Sequence, residues 1–179
     1  FNWKREIENY TDEKIGIVEG KKWEDGKFVI INYDILKNFH SQEKEGPQKI
    51  MEYGFELVIV DEAHYAQSIR SKRSQCLLRL ARHPRLRAIW LLSGTPMKNG
   101  RPIDLYPLLA AIDHPISHDK THFEKVFCQG HWNKQGDFVF WNCKGASQLE
   151  DLSELIRPLI LNRMKCDALH LPPKIRKEH

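Results

Sequence analysis

Two adjacent acids at the end of an apolar segment are the residues of this sequence best suited to chemistry. Asp61 and Glu62 directly follow the β-branched run Leu57–Val60, which predicts a strand buried on both faces of a parallel sheet. Carboxylates at such a strand end are costly unless a cation or hydrogen bonds compensate them. Because open α/β sheets bind ligands at the carboxyl ends of strands, we expect a Mg²⁺ ion carried by a nucleotide. The alternative is a core strand that simply surfaces at an acidic turn.

A second apolar run, residues 88–92, ends directly in a turn that carries two hydroxyl groups. Gly94 permits a tight turn, Pro96 ends the strand, and the hydroxyls of Ser93 and Thr95 can hydrogen-bond across neighbouring strand ends. Alone, this tetrapeptide indicates only a turn. On the next buried strand after the two acids, it predicts a polar edge that both strands share.

Composition places the chain among ordinary globular proteins. It has 179 residues, 41% of them hydrophobic and 29% charged, which suffices for one domain with a core. The formal charge of +4 permits nucleic-acid binding without requiring it. The sequence has no signal peptide and no apolar run near membrane-spanning length, so we expect a soluble, intracellular protein of the cytoplasm, nucleoid or nucleus. It begins at Phe1 without a methionine, as an excised fragment would.

The four cysteines form no CxxC pair, so reduced, packed thiols are the expected state. Cys128, His131 and Cys143 can be drawn as three metal ligands, but their spacing matches no common zinc module, and we reject that site.

The remaining elements follow from hydrophobic periodicity and turn residues. A helix is predicted over residues 69–82, and its basic face is either solvated or binds phosphate. Strands are expected at 14–19, 28–31 and 159–162; helices are expected at 1–10, 35–39, 49–53, 102–112, 120–127 and 148–156.

Residues 129–147 differ from the rest in their aromatic content. Trp132, Phe138, Phe140 and Trp141 lie among Gly, Asn and Lys residues, and residues 134–137 predict a hairpin turn. Such aromatics can form a small satellite core, which is the more common case, or they can stack on bases.

The motifs resemble a known family. The DEAH sequence is similar to the Walker B box of superfamily-two helicases, and SGTP is similar to their motif III. The order NWKREIE, VIINYDIL, LVIVDEAH, LLSGTPMKN, LNRMKCDAL and LPPK resembles the first RecA-like lobe of Swi/Snf-type DNA-translocating ATPases. GASQLEDL before LILNRMK is similar to the annealing-helicase-like branch of that family.

The resemblance implies an α/β fold, in which a parallel sheet flanked by helices forms a partial RecA-like lobe without its P-loop strand. Residues 1–170 would belong to this lobe, with an aromatic insertion at about 129–147, and residues 171–179 would begin a linker to a second lobe.

The resemblance also implies site roles, with ATP and Mg²⁺ as cofactors and DNA as partner. Asp61 would hold Mg²⁺ through water, and Glu62 would orient the attacking water. His64 would connect the ATP site to motif III through Ser93 and Thr95. Positions expected near the DNA backbone are Asn32, Tyr33, Lys98, Asn99 and Arg101.

Parts of the family's machinery are missing from the sequence. No G-x-x-x-x-G-K-[ST] motif occurs, and the second lobe with its arginine finger would lie beyond LPPK. Gln67 and Ser68 stand where relatives often carry Lys-Asn, which removes an expected DNA contact. We therefore predict that this polypeptide alone does not hydrolyse ATP. The alternatives are a DEAD- or DEAH-type RNA helicase lobe, and a non-catalytic module that binds nucleic acid or protein.

Overall fold

Short parallel strand pairs joined by helices form the framework in the computed structural model, which describes residues 2–20, 22–36, 46–97 and 100–162, except for the side chains of 46–49. The chain divides into two units, Phe1–Ser147 and Gln148–His179. Within the described part of the first unit there are six α-helices and seven strands. They are α1 Asn2–Glu8, β1 Ile15–Glu19, β2 Lys22–Trp23, β3 Phe28–Ile30, α2 Tyr33–Leu36, α3 Gly46–Tyr53, β4 Leu57–Val60, α4 Lys72–Ala81, β5 Ala88–Leu91, α5 Tyr106–Ala111, α6 Lys120–Phe127, β6 His131–Gln135 and β7 Phe138–Asn142. Short 3₁₀ helices lie at Ala63–Ala66, Pro102–Asp104 and Pro115–Ser117.

The strands of the described residues form three separate sheets. β1 pairs in parallel with β3 and antiparallel with β2, while β4 pairs in parallel with β5. β6 and β7 form an antiparallel hairpin. The predicted α/β class with parallel strands is confirmed, and so is the predicted aromatic hairpin.

One face of the β4–β5 pair covers the main core, where Val60 packs with Ala63, Leu77 and Leu108. The opposite face is exposed, although we predicted burial on both faces. The accessible fractions on that face are 43% for Leu57, 42% for Ile59, 57% for Trp90 and 41% for Leu92. The prediction was wrong because α4 and α5 supply packing partners on one side of the pair only.

Helix α4 begins three residues later than its apolar pattern predicts. The Ser71 side chain accepts a hydrogen bond from the Ser74 backbone N–H at 3.1 Å, which caps the helix. The Ser74 hydroxyl, fully buried, donates to the Ala66 carbonyl at 2.7 Å. These bonds fix the helix start against the 3₁₀ turn that follows the two acids.

The second unit contains α7, Leu149–Ile156, and a 3₁₀ turn at Arg157–Leu159. The predicted strand at 159–162 is wrong, because no strand of the described residues pairs with it. Helix α3 begins at Gly46, three residues before the helix expected at 49–53. Residues 164–169, for which the sequence pattern also predicts a helical turn, and the linker at 171–179 lie outside the described residues. No helix in the described part of the chain is long and apolar enough to span a membrane.

Candidate active site

The two acids and the hydroxyl-bearing turn lie at the same end of one strand pair. Val60 is opposite Leu91 in the parallel ladder, and the Leu92 N–H donates to the Val60 carbonyl at 2.9 Å. The chain then crosses back, because the Ala63 N–H donates to the Leu92 carbonyl at 2.8 Å. The backbone therefore places the DEAH segment directly beside the SGTP turn.

His64 connects the two segments through a single ring nitrogen. Its Nδ1 lies 3.0 Å from Glu62 Oε2 and 3.3 Å from Ser93 Oγ. The Ser93 Oγ also accepts a hydrogen bond from the Thr95 N–H at 3.2 Å. A proton on Nδ1 can thus be shared between the Glu62 carboxylate and the hydroxyl oxygen of the SGTP turn.

Gln67 makes a second connection that the sequence did not reveal. Its Nε2 donates to the Pro96 carbonyl at 2.9 Å and to the Thr95 carbonyl at 3.3 Å. In the sequence, Gln67 stands out only as a departure from the family pattern. The sequence feature that allows this contact is the side-chain amide of Gln67, whose NH₂ group can donate two hydrogen bonds to backbone carbonyls.

Glu62 has a strained backbone at the centre of this site. Its φ of 49° and ψ of 49° lie in the left-handed region, which a non-glycine residue adopts at a cost of about 1 kcal/mol or more. This conformation turns the chain from β4 into the 3₁₀ helix Ala63–Ala66. Strain of this kind is concentrated at functional sites.

Asp61 is exposed, and hydrogen bonds engage both of its carboxylate oxygens. Oδ1 accepts from the Glu62 N–H at 2.9 Å, and Oδ2 accepts from the indole Nε1 of Trp3 at 2.9 Å. The expectation that burial of the two acids would be costly was wrong, because Asp61 and Glu62 are both exposed. The sequence pattern placed Trp3 within the helix predicted at 1–10 and gave no sign of its contact with Asp61.

The donor set suits Mg²⁺ that arrives with a nucleotide. Mg²⁺ commonly takes one or two carboxylates together with substrate phosphates and water. The exposed Asp61 carboxylate supplies such an oxygen, and its Oδ2 partner is a neutral indole rather than a competing cation. Among the described residues, no group of three or more His, Cys, Asp and Glu side chains is arranged to hold a metal by itself.

Tyr33 holds the backbone of the acidic pair from the side of α2. Its hydroxyl donates to the Asp61 carbonyl at 3.0 Å and lies 3.4 Å from the Glu62 carbonyl. Partial burial, together with the negative charge of Asp61, raises the pKa of Tyr33 to about 12. Arg73 stands over the rings of Tyr33 and Tyr65, with its guanidinium carbon 6.0 and 5.8 Å from the two ring centres.

A family comparison agrees with this geometry. The family model described as the SNF2-related domain matches residues 1–179, the entire sequence. The chain belongs to the SNF2-related domain family.

Curated relatives of this SNF2-related domain are much longer than the chain itself. The human "DNA annealing helicase and endonuclease ZRANB3" is 32% identical over 186 residues, with 99% of this chain and 17% of the relative covered. The Bos taurus "SWI/SNF-related matrix-associated actin-dependent regulator of chromatin subfamily A-like protein 1" is 31% identical over 165 residues, covering 88% of this chain and 16% of the relative. The Arabidopsis thaliana "ATP-dependent DNA helicase DDM1" is 34% identical over 149 residues, covering 82% and 18% respectively.

Two of the residues of the SNF2-related domain that are predicted to lie near DNA contact neighbouring protein groups. Asn32 Oδ1 accepts from the Ile35 N–H at 2.7 Å and so caps α2. The Arg101 guanidinium pairs with Asp104 at 3.1 Å. Lys98 and Asn99 lie outside the described residues. A DNA role for these four residues and for Tyr33 stays a prediction.

The SGTP turn does not require a glycine at position 94. The φ of Gly94 is not in the left-handed region, and an added Cβ would meet no atom of the described residues within 4 Å. The tight-turn reason for this glycine is therefore wrong. The space beside it is open on the edge that it shares with Asp61 and Glu62.

Proposed function

We propose that this chain is part of a DNA-dependent ATPase that couples ATP hydrolysis to movement along duplex or branched DNA. The observation that carries the proposal is the His64 ring, whose Nδ1 lies within hydrogen-bond distance of both Glu62 and Ser93. Membership of the SNF2-related family and relatives named as DNA helicases support it.

In the proposed reaction, Asp61 holds Mg²⁺ through water and Glu62 positions the attacking water. The ion supplies neutralisation of charge on the phosphate oxygens. Glu62 can accept a hydrogen bond from water because its carboxylate is exposed, and its left-handed backbone conformation places it where the chain leaves β4. The contact of His64 Nδ1 with Glu62 Oε2 at 3.0 Å restricts that carboxylate further.

Coupling to DNA runs through the SGTP turn in this proposal. Two side chains of the DEAH segment contact the turn, His64 through Ser93 and Gln67 through two backbone carbonyls. A change in the water or phosphate beside Glu62 would therefore alter the position of Ser93 through His64, and movement of the turn would alter the position of Glu62. This is the mechanical connection that a translocating motor requires between nucleotide state and its grip on DNA.

The phosphate-binding loop and the second lobe are proposed to come from other parts of a longer parent protein. The sequence contains no G-x-x-x-x-G-K-[ST] motif, and it spans about a sixth of the length of its relatives. The parent protein would act in the compartment that contains the DNA, which is the nucleoid or the nucleus.

The test is DNA-stimulated ATP hydrolysis by the parent protein and its Glu62→Gln variant. Loss of a residue that positions the nucleophile lowers the rate by about 10²–10⁴-fold. Glu56→Gln is the matched control, because Glu56 precedes β4 at its other end and pairs only loosely with Arg87 at 3.6 Å. A Glu62→Gln variant with the rate of the control would contradict the proposed role.

Two further arms separate the proposal from its alternatives. The 179-residue chain alone is expected to show no turnover at saturating DNA, since it lacks the phosphate cradle. The parent is expected to be stimulated by DNA more than by RNA, and its DNA affinity should fall steeply with salt. Stimulation by RNA alone would favour the RNA helicase, and absence of turnover would favour the non-catalytic module.

A further inference from the structure

The β6–β7 hairpin is attached to helix α6 through Trp141, one of its aromatic residues. The Trp141 Nε1 donates to Glu124 Oε2 at 2.9 Å, and Glu124 is only 5% exposed. The Gly130 N–H donates to the Glu124 carbonyl at 2.8 Å, and a Cβ on Gly130 would lie 2.6 Å from the Trp141 ring. The base of the hairpin therefore has a defined position.

The other large apolar side chains of the hairpin are mostly exposed. Phe138 is 81% exposed, Trp132 68%, Val139 61% and Phe140 44%. Burial of one such side chain yields about 1.5–3 kcal/mol, which is forgone here. The satellite core considered for this segment is thus limited to the base of the hairpin, where Trp132 meets Trp141 edge-on at 5.4 Å between ring centres.

Phe138 and Phe140 share one face of the hairpin with amide side chains. Gln135 is the partner of Phe138 and Asn133 the partner of Phe140, and paired residues of an antiparallel ladder lie on the same face. Residues two apart on a strand are separated by about 6.8 Å. That is roughly twice the 3.4 Å rise of a stacked DNA strand, so the two rings suit bases that have left the stack. Amide groups can donate to and accept from base edges.

The charge of the hairpin segment favours a polyanion. Residues 125–147 contain three lysines and one aspartate, and Lys125, Lys134 and Lys144 are exposed. Lys134 is paired with Val139 and so lies on the face opposite to the two rings. None of the three lysines forms a salt bridge with a described residue. Two rings flanked by amides form a smaller apolar surface than the core of a protein–protein interface, from which Lys is also depleted.

We propose that the Phe138–Phe140 face of the hairpin binds unpaired DNA by stacking successive bases on its two rings. Asn133 and Gln135 would contact base edges, and the positive charge of the segment would attract the phosphate backbone. This inference deepens the proposed function, on which it rests for the choice of DNA, and it names the single-stranded region of a branch as the contacted part. Because stacking tolerates every base, the contact would be independent of sequence.

The test compares the parent protein with its Phe138→Ala/Phe140→Ala variant in fluorescence-anisotropy titrations of a labelled 20-nucleotide oligothymidine and of a blunt 20-base-pair duplex. Each stacked base contributes about 5- to 150-fold in affinity. The variant is expected to lose at least about 20-fold in affinity for the single strand and little for the duplex. Val139→Ala is the matched control, because Val139 is 61% exposed but points to the opposite face.

The outcomes separate this inference from the proposed function. Equal single-strand affinities of the variant and the Val139→Ala control, with duplex binding and ATP hydrolysis intact, would overturn the hairpin site alone. A parent protein that binds neither DNA would overturn both. Self-association that the double variant abolishes without any change in DNA affinity would assign the face to a second copy of the chain and also overturn the inference. Thermal unfolding checks that both variants are folded, which we expect because the replaced side chains are exposed.

Discussion

Replacement of Tyr33 by phenylalanine isolates the contact that supports the backbone of the acidic pair. The substitution keeps the ring, and with it the edge-on contact with Tyr65 at 5.8 Å and the contact with Arg73. It removes only the hydroxyl, which donates to the Asp61 carbonyl at 3.0 Å. The consequence should therefore be local to the turn that carries Asp61 and Glu62.

The expected loss of stability is about 1 kcal/mol. A hydrogen bond between neutral groups contributes about 0.5–1.5 kcal/mol, and a deeply buried carbonyl left without a partner would cost more. Water can replace the hydroxyl here, because Asp61 and Glu62 are exposed. For a domain of this size, that loss lowers the Tm by about 2–4 °C. A looser Glu62 should also reduce kcat for ATP in the parent more than it changes KM, because the water-positioning group rather than the binding surface is disturbed.

The pH dependence of unfolding provides an independent readout. The pKa of Tyr33 is raised to about 12 in the folded chain, while a tyrosine in an unfolded chain titrates near 10. Folding thus favours the neutral phenol, and its contribution is complete below pH 10 and is lost as pH rises toward 12. The stability difference between wild type and Tyr33→Phe should shrink over that range.

Urea unfolding of both proteins between pH 8 and 11, followed by tryptophan fluorescence, measures this difference. Tyr65→Phe is the control, because Tyr65 contacts the same Arg73 and is 54% exposed, and its hydroxyl forms no hydrogen bond with a described residue. Equal losses from the two substitutions, or a difference that is constant with pH, would refute the inferred role of the Tyr33 hydroxyl.

Two further predictions follow from contacts elsewhere in the first unit. Gln67→Ala removes the amide that donates to the Thr95 and Pro96 carbonyls, so it should lower DNA stimulation of ATP hydrolysis while DNA-independent hydrolysis changes little. Ser68→Ala, a variant of the exposed neighbouring residue, should match wild type in the same assay. Equal DNA-stimulated rates of the two variants would argue against a role for this contact. Burial raises the pKa of the Cys128 thiol to about 12, so Cys128 should resist iodoacetamide at pH 8 in the folded chain and react only after unfolding. Peptide mass spectrometry would detect the label, and rapid labelling of the native protein would contradict the full burial of Cys128.

The sequence predicted the parts of this fold that local patterns determine. An apolar run followed by two acids located β4 and the site, and Asp119, whose side chain accepts from the His122 N–H at 2.9 Å, marks the start of α6 where the pattern placed it. The strand order of the site was also predictable, because the SGTP turn had to share an edge with the acids if it was to serve the same ligand.

Other features depend on contacts between distant parts of the chain, and no local pattern carries them. The left-handed backbone of Glu62 and the indole of Trp3 on Asp61 arise from how separate segments meet. Burial of both faces of β4 was expected from its composition, but composition does not show which neighbours are available to cover it. The mostly apolar segment 159–162 likewise matched a strand, yet a strand forms only beside a partner.

The connection between the DEAH segment and the SGTP turn can be measured with a double-mutant cycle of His64→Ala and Ser93→Ala on the DNA-stimulated kcat of the parent protein. Side chains in direct contact typically show an interaction free energy of about 0.5–3 kcal/mol. Because His64 Nδ1 lies 3.3 Å from Ser93 Oγ, we predict a coupling in that range, with the double variant little worse than the poorer single variant. Losses that add to within about 0.3 kcal/mol would show that the two segments act independently and would contradict the shared edge on which the proposed motor depends.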